Sequence, residues 1–150
     1  MTARLPAVIA VGLALLVASP ARAQGDRWER QVDRQLERAM ASLDAKRVVR
    51  PLATRVGTLD TDESASFTLT LQAGVSYFVV GTCDEDCERL GLVLSDLSSH
   101  DLAADHASEN APVVRLIPRQ TGSYRVQVVM ERCRMNPCRF GVALVTLPAP

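Results

Sequence analysis

Apolar positions fall into three regimes along the chain. Residues 5–18 are almost wholly apolar. Residues 26–46 carry Trp28, Val32, Leu36, Met40 and Leu43 at spacings of four and three, with Arg27, Arg30, Asp33, Arg34, Glu37 and Arg38 between them. That spacing lines one stripe of a helix. Like charges stand four apart (Asp33 and Glu37, Arg34 and Arg38), so such a helix draws its stability mainly from burying the stripe. The stripe's partner is left open by the sequence: the domain that follows, a second copy of the chain, or a membrane surface.

From Pro51 onward the period drops to two. Phe67, Leu69 and Leu71 alternate with Thr68, Thr70 and Gln72, which predicts a half-buried strand. "VSYFVVGT" is rich in β-branched and aromatic residues and predicts another. Leu90, Leu92 and Leu94 share one face of a third, and residues 112–117 make a fourth, closed by Pro118. In "TGSYRVQVVME", Tyr124, Val126, Val128 and Met130 alternate with Arg125, Gln127 and Val129. "RFGVALVTL" is the last strand, and residues 54–59 are a short edge piece. Turn signals separate these runs, and no segment is long enough for the crossover helices of a parallel sheet. The predicted fold is all-β: an antiparallel, jelly-roll-like β-sandwich of about seven or eight strands over residues 51–147. One amphipathic helix and its linker precede it over residues 24–50.

The first regime is a secretory signal peptide. A short basic start leads into an apolar run too short to span a bilayer, for which about 20 residues are needed. Ala21 and Ala23 supply small residues at the two positions that determine cleavage. The expected segment is residues 1–23, and the expected compartment is periplasmic or extracellular. Nothing later reads as a transmembrane segment. Loss of Arg4 and Arg22 leaves 15 basic residues against 17 acidic, a net charge of −2. That balance excludes a nucleic-acid binder.

The charges are unevenly placed. Residues 84–109 hold eight acids and one Arg, whereas residues 115–139 hold six Arg and one Glu. Such blocks can form two faces of a domain or pair across strands.

Four cysteines, Cys83, Cys87, Cys133 and Cys138, sit in what reads as an exported chain, where disulfides are the default. Each local pair joins the end of one predicted strand to the start of the next. The expected bridges are Cys83–Cys87 and Cys133–Cys138, the second across a hairpin. Spacings of C-x3-C and C-x4-C do not match zinc knuckles or a C-x-x-C redox motif. The acids around the first pair raise a different possibility. Calcium takes six to eight oxygen ligands from flexible loops, and Asp84, Asp86 and Asp96 are the candidate carboxylates. No other cofactor is expected.

Residues 100–106, "HDLAADH", place His100 and His106 beside Asp101 and Asp105, a set that could ligate a metal or supply a base. The segment reads as a polar loop, and there is no nucleophile elbow, metalloprotease helix or phosphate loop. One Trp, two Tyr and three Phe are too few for stacking platforms. These features point away from an enzyme.

Residues 56–145 resemble the bacterial pre-peptidase C-terminal domain family. The likeness lies in "GTL", then "FTLTLQAGVSYFVV", an acidic loop into "LGLVLSD", and "PVVRLIPRQTGSYRVQVV", with "TGSYRVQV" the best match. The resemblance implies a β-sandwich found on exported proteases and as a free module, some members binding substrate or calcium. This chain carries no peptidase domain. The expected function is therefore a non-enzymatic exported module that binds an envelope protein or surface polymer. The alternative is a structural envelope protein that forms homo-oligomers through Trp28, Val32, Leu36, Met40 and Leu43.

Overall fold

The four-three spacing becomes helix α1 (Ala21–Leu43), and the period-two region becomes eight strands. The strands are β1 (Ala53–Leu59), β2 (Ser64–Leu71), β3 (Tyr77–Cys83), β4 (Cys87–Ser95), β5 (Asp101–Asp105), β6 (Val113–Leu116), β7 (Gly122–Cys133) and β8 (Cys138–Thr146). The structure, a computed structural model, describes residues 21–44 and 48–147, with side chains from Arg27 onward. The apolar run of residues 5–18 lies outside the described residues. The helix begins before residue 26 and passes through the expected cleavage site at Ala21–Ala23.

The strands form two four-stranded antiparallel sheets, ordered β1-β8-β3-β6 and β2-β7-β4-β5. Only β4 and β5 are both consecutive and paired; each other connection carries the chain from one sheet to the other. This alternation is the jelly-roll arrangement of a sandwich. The piece expected at residues 54–59 is β1, and it lies at a sheet edge as expected.

Two expectations are corrected. Residues 100–106 are not a loop: Asp101–Asp105 form edge strand β5, paired with β4 from Leu92 to Ser95. An edge strand needs backbone partners on one side only. Its side chains are exposed or half-buried, so no apolar alternation marks it. Nor is there a hairpin between β7 and β8. β7 pairs with β2 and β4, while β8 pairs with β1 and β3.

Leu90, Leu92, Leu94, Val126, Val128 and Met130 pack from one sheet against Tyr77, Val79, Phe140, Val142 and Leu144 of the other. The β1-β8-β3-β6 sheet is also covered on its outer face. There α1 lies across β3 and β8, packing Leu36 and Met40 against Val80, Ala143 and Val145. Val32 sits over Gly141, where an added Cβ would stand 2.6 Å from Val32 Cγ1. A side chain at 141 would hold the helix off the sheet. Val32, Leu36 and Met40 are buried, and Trp28 and Leu43 at the two ends of the stripe are half-buried. Burying each of the three central side chains contributes about 1.5–3 kcal/mol.

Candidate functional site

Both disulfides form as expected: Cys83–Cys87 with Cα atoms 5.8 Å apart and Cys133–Cys138 with Cα atoms 5.9 Å apart. Both separations lie in the ordinary range. Cys87 and Cys133 are register partners on β4 and β7, so the two bridges share one end of the sandwich. Each spans a corner where the chain leaves one sheet for the other.

Cross-loop bonds tie this end together. Asp84 N–H donates to Arg139 O at 3.0 Å, and Arg139 N–H returns a bond to Asp84 Oδ2 at 2.9 Å. Asp84 is buried, and its Oδ1 has no partner. Burial pushes its carboxyl above the usual range, and the Arg139 N–H only partly offsets this. Arg134 N–H donates to Asp86 O at 2.8 Å, and its guanidinium donates to Glu85 O at 2.6 Å. Thr61 N–H donates to Asn136 Oδ1 at 3.0 Å, next to the cis Asn136–Pro137 bond. The acidic and basic blocks of the sequence meet here, with Arg132 and Arg134 on β7 and its following loop facing Glu88 on β4.

The stapled β3–β4 loop stands beside the middle of α1. Between them runs a polar cleft of ≈ 310 Å³, lined by Arg27, Gln31, Arg34, Gln35, Arg38 and Glu85. Helical periodicity places the five helix residues on one face. Trp28 anchors the N-terminal end of this stretch: the Arg27 guanidinium lies 5.7 Å from its ring centroid and that of Arg139, on β8, lies 5.6 Å away. Such contacts hold an aromatic and a cation together by about 0.5–1 kcal/mol at exposed sites. Among the described residues, the guanidinium groups of Arg34 and Arg38 make no ion pair or hydrogen bond. Their forks are thus available for a carboxylate, sulfate or phosphate. Gln31 adds an amide donor and acceptor beside them, and Gln35 adds its amide nitrogen, its Oε1 being buried without a partner.

The other sequence candidates are dispersed. Asp84 and Asp86 lie within the stapled turn, whereas Asp96 follows β4 at its opposite end. Nine strand residues separate them, about 30 Å at strand rise. The three carboxylates are not brought together, so they do not form the expected shared calcium site. Among the described residues, no group of three or more His, Cys, Asp or Glu is arranged to hold a metal.

Asp96 instead caps the β4–β5 turn. It accepts from His100 N–H at 2.9 Å and faces His100 Nδ1 at 3.2 Å. Those contacts, the backbone N–H first, hold its carboxyl below the usual range. His106 pairs with Glu131, so the two histidines serve separate carboxylates at the two ends of β5. Asp101 is exposed on β5.

Asp105 has a structural role that the sequence reading missed. Its carboxylate accepts from the N–H groups of Ala107, Ser108 and Val113 and from the Ser108 hydroxyl, at 2.7–3.1 Å. Partial burial raises its pKa, but these bonds outweigh burial and hold it low. The arginine face was missed as well, although its signal is present: arginines at 27, 34 and 38 recur on one helical face. They read as filler between stripe positions because the stripe carried the helix assignment.

Among the described residues, no helix is long and apolar enough to cross a membrane. No protein-family model matches the chain, and no curated protein matches it.

Proposed function

We propose that this protein is an exported, non-enzymatic module of the pre-peptidase C-terminal kind that binds a protein or surface polymer of the cell envelope, in the periplasm or outside the cell. The observation that carries this reading is the arginine-lined cleft on a helix fixed to a stapled sandwich. A docking surface gains from such rigidity, because less freedom is lost on binding. Two further features support it. All four cysteines are paired, as an oxidising compartment favours. Each histidine is engaged by one carboxylate away from the cleft. The apolar stripe is covered by the chain's own sheet, which leaves self-association through the helix without its apolar seam. Cleavage after Ala23 would leave the whole stripe and the whole arginine face on the mature chain.

The test is fractionation of the exported protein. It should sediment with the envelope at low salt and be released as salt rises, because exposed charges are screened. Arg34→Gln combined with Arg38→Gln should shift it to the soluble fraction. Wild-type protein that stays soluble at low salt would sink the reading.

A further inference from the structure

The geometry points to a linear acidic polysaccharide as the occupant of the α1 cleft, its carboxylates or sulfates meeting Arg27, Arg34 and Arg38 and its hydroxyls meeting the Gln31 amide and the amide nitrogen of Gln35. This inference rests on the proposed reading of the chain as a binding module.

The spacing argues for a polymer of sparse charge. Along the axis, Arg27 and Arg34 lie about 10 Å apart and Arg34 and Arg38 about 6 Å apart, at 1.5 Å per residue. Glutamine amides fill the intervals on the same face. A ligand that matches this order carries anions separated by neutral, hydrogen-bonding stretches, as a chain of sugar acids does. A polymer with an anion on every unit and no hydroxyls would leave the amides unused.

The surroundings bear on the two other anionic partners. An acidic peptide must satisfy its backbone N–H and C=O groups, usually on a free strand edge. The cleft is walled instead by a helix, whose backbone groups are already paired, and by the Glu85 loop. An anionic bilayer is met by helices that also insert an apolar face, and here that face is packed on β3 and β8. Sugar hydroxyls both donate and accept, so side-chain amides suffice for them.

The arrangement is also held in place. Val32 closes onto Gly141, the Trp28 ring meets Arg27 and Arg139, and Glu85 sits on a loop closed by the Cys83–Cys87 bridge. Among the described residues, Glu85 is the one acid lining the cleft. It disfavours anions in general, which sharpens selection for a polymer that can place its charges along the helix and away from the loop.

The experiment is titration of the purified, disulfide-bonded protein into fluorescently labelled alginate oligosaccharide across a range of salt. Polyglutamate, anionic phospholipid vesicles and neutral dextran form the comparison arms. Alginate should bind, with polyglutamate and vesicles much weaker and dextran silent. Arg34→Gln should weaken alginate by about tenfold, as for a lost charge-assisted bond, and lower the salt slope by about one. Glu85→Gln should tighten binding several-fold. Arg119→Gln, at the opposite end of the sandwich, should change neither affinity nor slope, and the melting temperature of each variant should match the parent. Polyglutamate binding as tightly as alginate would overturn the inference in favour of an acidic protein partner, and vesicle binding would overturn it in favour of a lipid surface. An Arg119→Gln effect equal to that of Arg34→Gln would reduce the signal to general charge. If alginate fails while the protein still sediments with the envelope, the polymer class is wrong and the binding module stands.

Discussion

The two sheets of the sandwich differ in what covers them. Strands β3 and β8 are buried on both faces, by the opposite sheet within and by α1 without, and their sequences, "YFVVGTC" and "CRFGVALVT", run apolar almost without a break. Strands β2 and β7 face the interior on one side and solvent on the other, and their side chains alternate between more and less buried. The difference teaches that a strand's pattern reports how many layers it lies between. A continuous run inside an antiparallel fold marks the place where another element docks. In this chain that element is the helix bearing the arginine face, so the doubly covered sheet doubles as the mount for the candidate site.

The largest effect should come from emptying the seam between helix and sheet. Leu36→Ala should cost about 2–5 kcal/mol, the range for a buried large-to-small change. Thr68→Ala, on the solvent face of β2, should stay within about 0.5 kcal/mol. Chemical denaturation of both variants checks the contrast, and equal costs would mean that the helix does not cover the sheet in solution.

Glycines sharpen the same point. At Gly141 an added Cβ meets Val32, while at Gly122, on β7, nothing lies within 4 Å. Gly141→Ala should therefore destabilise by about 1–3 kcal/mol, the usual cost of overpacking. It should also raise exchange of the α1 amides, read by hydrogen–deuterium exchange. Gly122→Ala should leave those amides unchanged.

Acid titration separates groups on the two sheets. Asp105, on β5, has its folded pKa held below 3.8, so its contribution is present above that value and is lost as pH falls through the folded pKa. Asp105→Asn should be destabilised at neutral pH, and the gap to wild type should close in acid. Asp84, beside β3, has its folded pKa raised above 3.8 by burial. Its ionised form is the disfavoured one in the fold, so any gain from Asp84→Asn should appear at neutral pH and shrink as pH falls. Melting temperatures across the acid range test both signs, and parallel curves for all three proteins would remove the contrast.

The smallest effect belongs to the solvent-facing sheet's ion pairs. Arg89 and Glu131 approach to 3.9 Å with Arg89 largely exposed. A double-mutant cycle should return about 0.2–1 kcal/mol and vanish in high salt.

Much of this was legible where side-chain pattern alone determines the outcome. Leu90, Leu92 and Leu94 face inward as their alternation implies, and Val32, Leu36 and Met40 lie buried as their spacing implies. What was illegible depends on backbone and topology. β5 is held by ladder bonds that any side chain allows, so "DLAAD" carries no mark of it. The pairing of Cys133 with Cys138 was read correctly, but for a hairpin that does not exist. A short loop fits a corner between sheets as well as it fits a hairpin, and local spacing does not distinguish the two. The calcium grouping of Asp84, Asp86 and Asp96 does not form because nearness along the chain is not nearness in space: strand β4 carries Asp96 away from the other two. The cleft needed two elements, α1 and the β3–β4 loop, whose meeting no local pattern encodes.

The two bridges also bear on how the protein meets proteases. Glu85 and residues 134–137 are exposed, and each lies inside a ring closed by a disulfide four or five residues long in sequence separation. A cut at either loop opens a peptide bond without releasing a fragment, because the severed ends remain joined through sulfur. The sheet ladders on both sides do not run through either loop, so the nicked chain should keep its shape. At these two corners, backbone continuity and fold are separable, and a protease must find a second, unclosed loop before it can take the molecule apart.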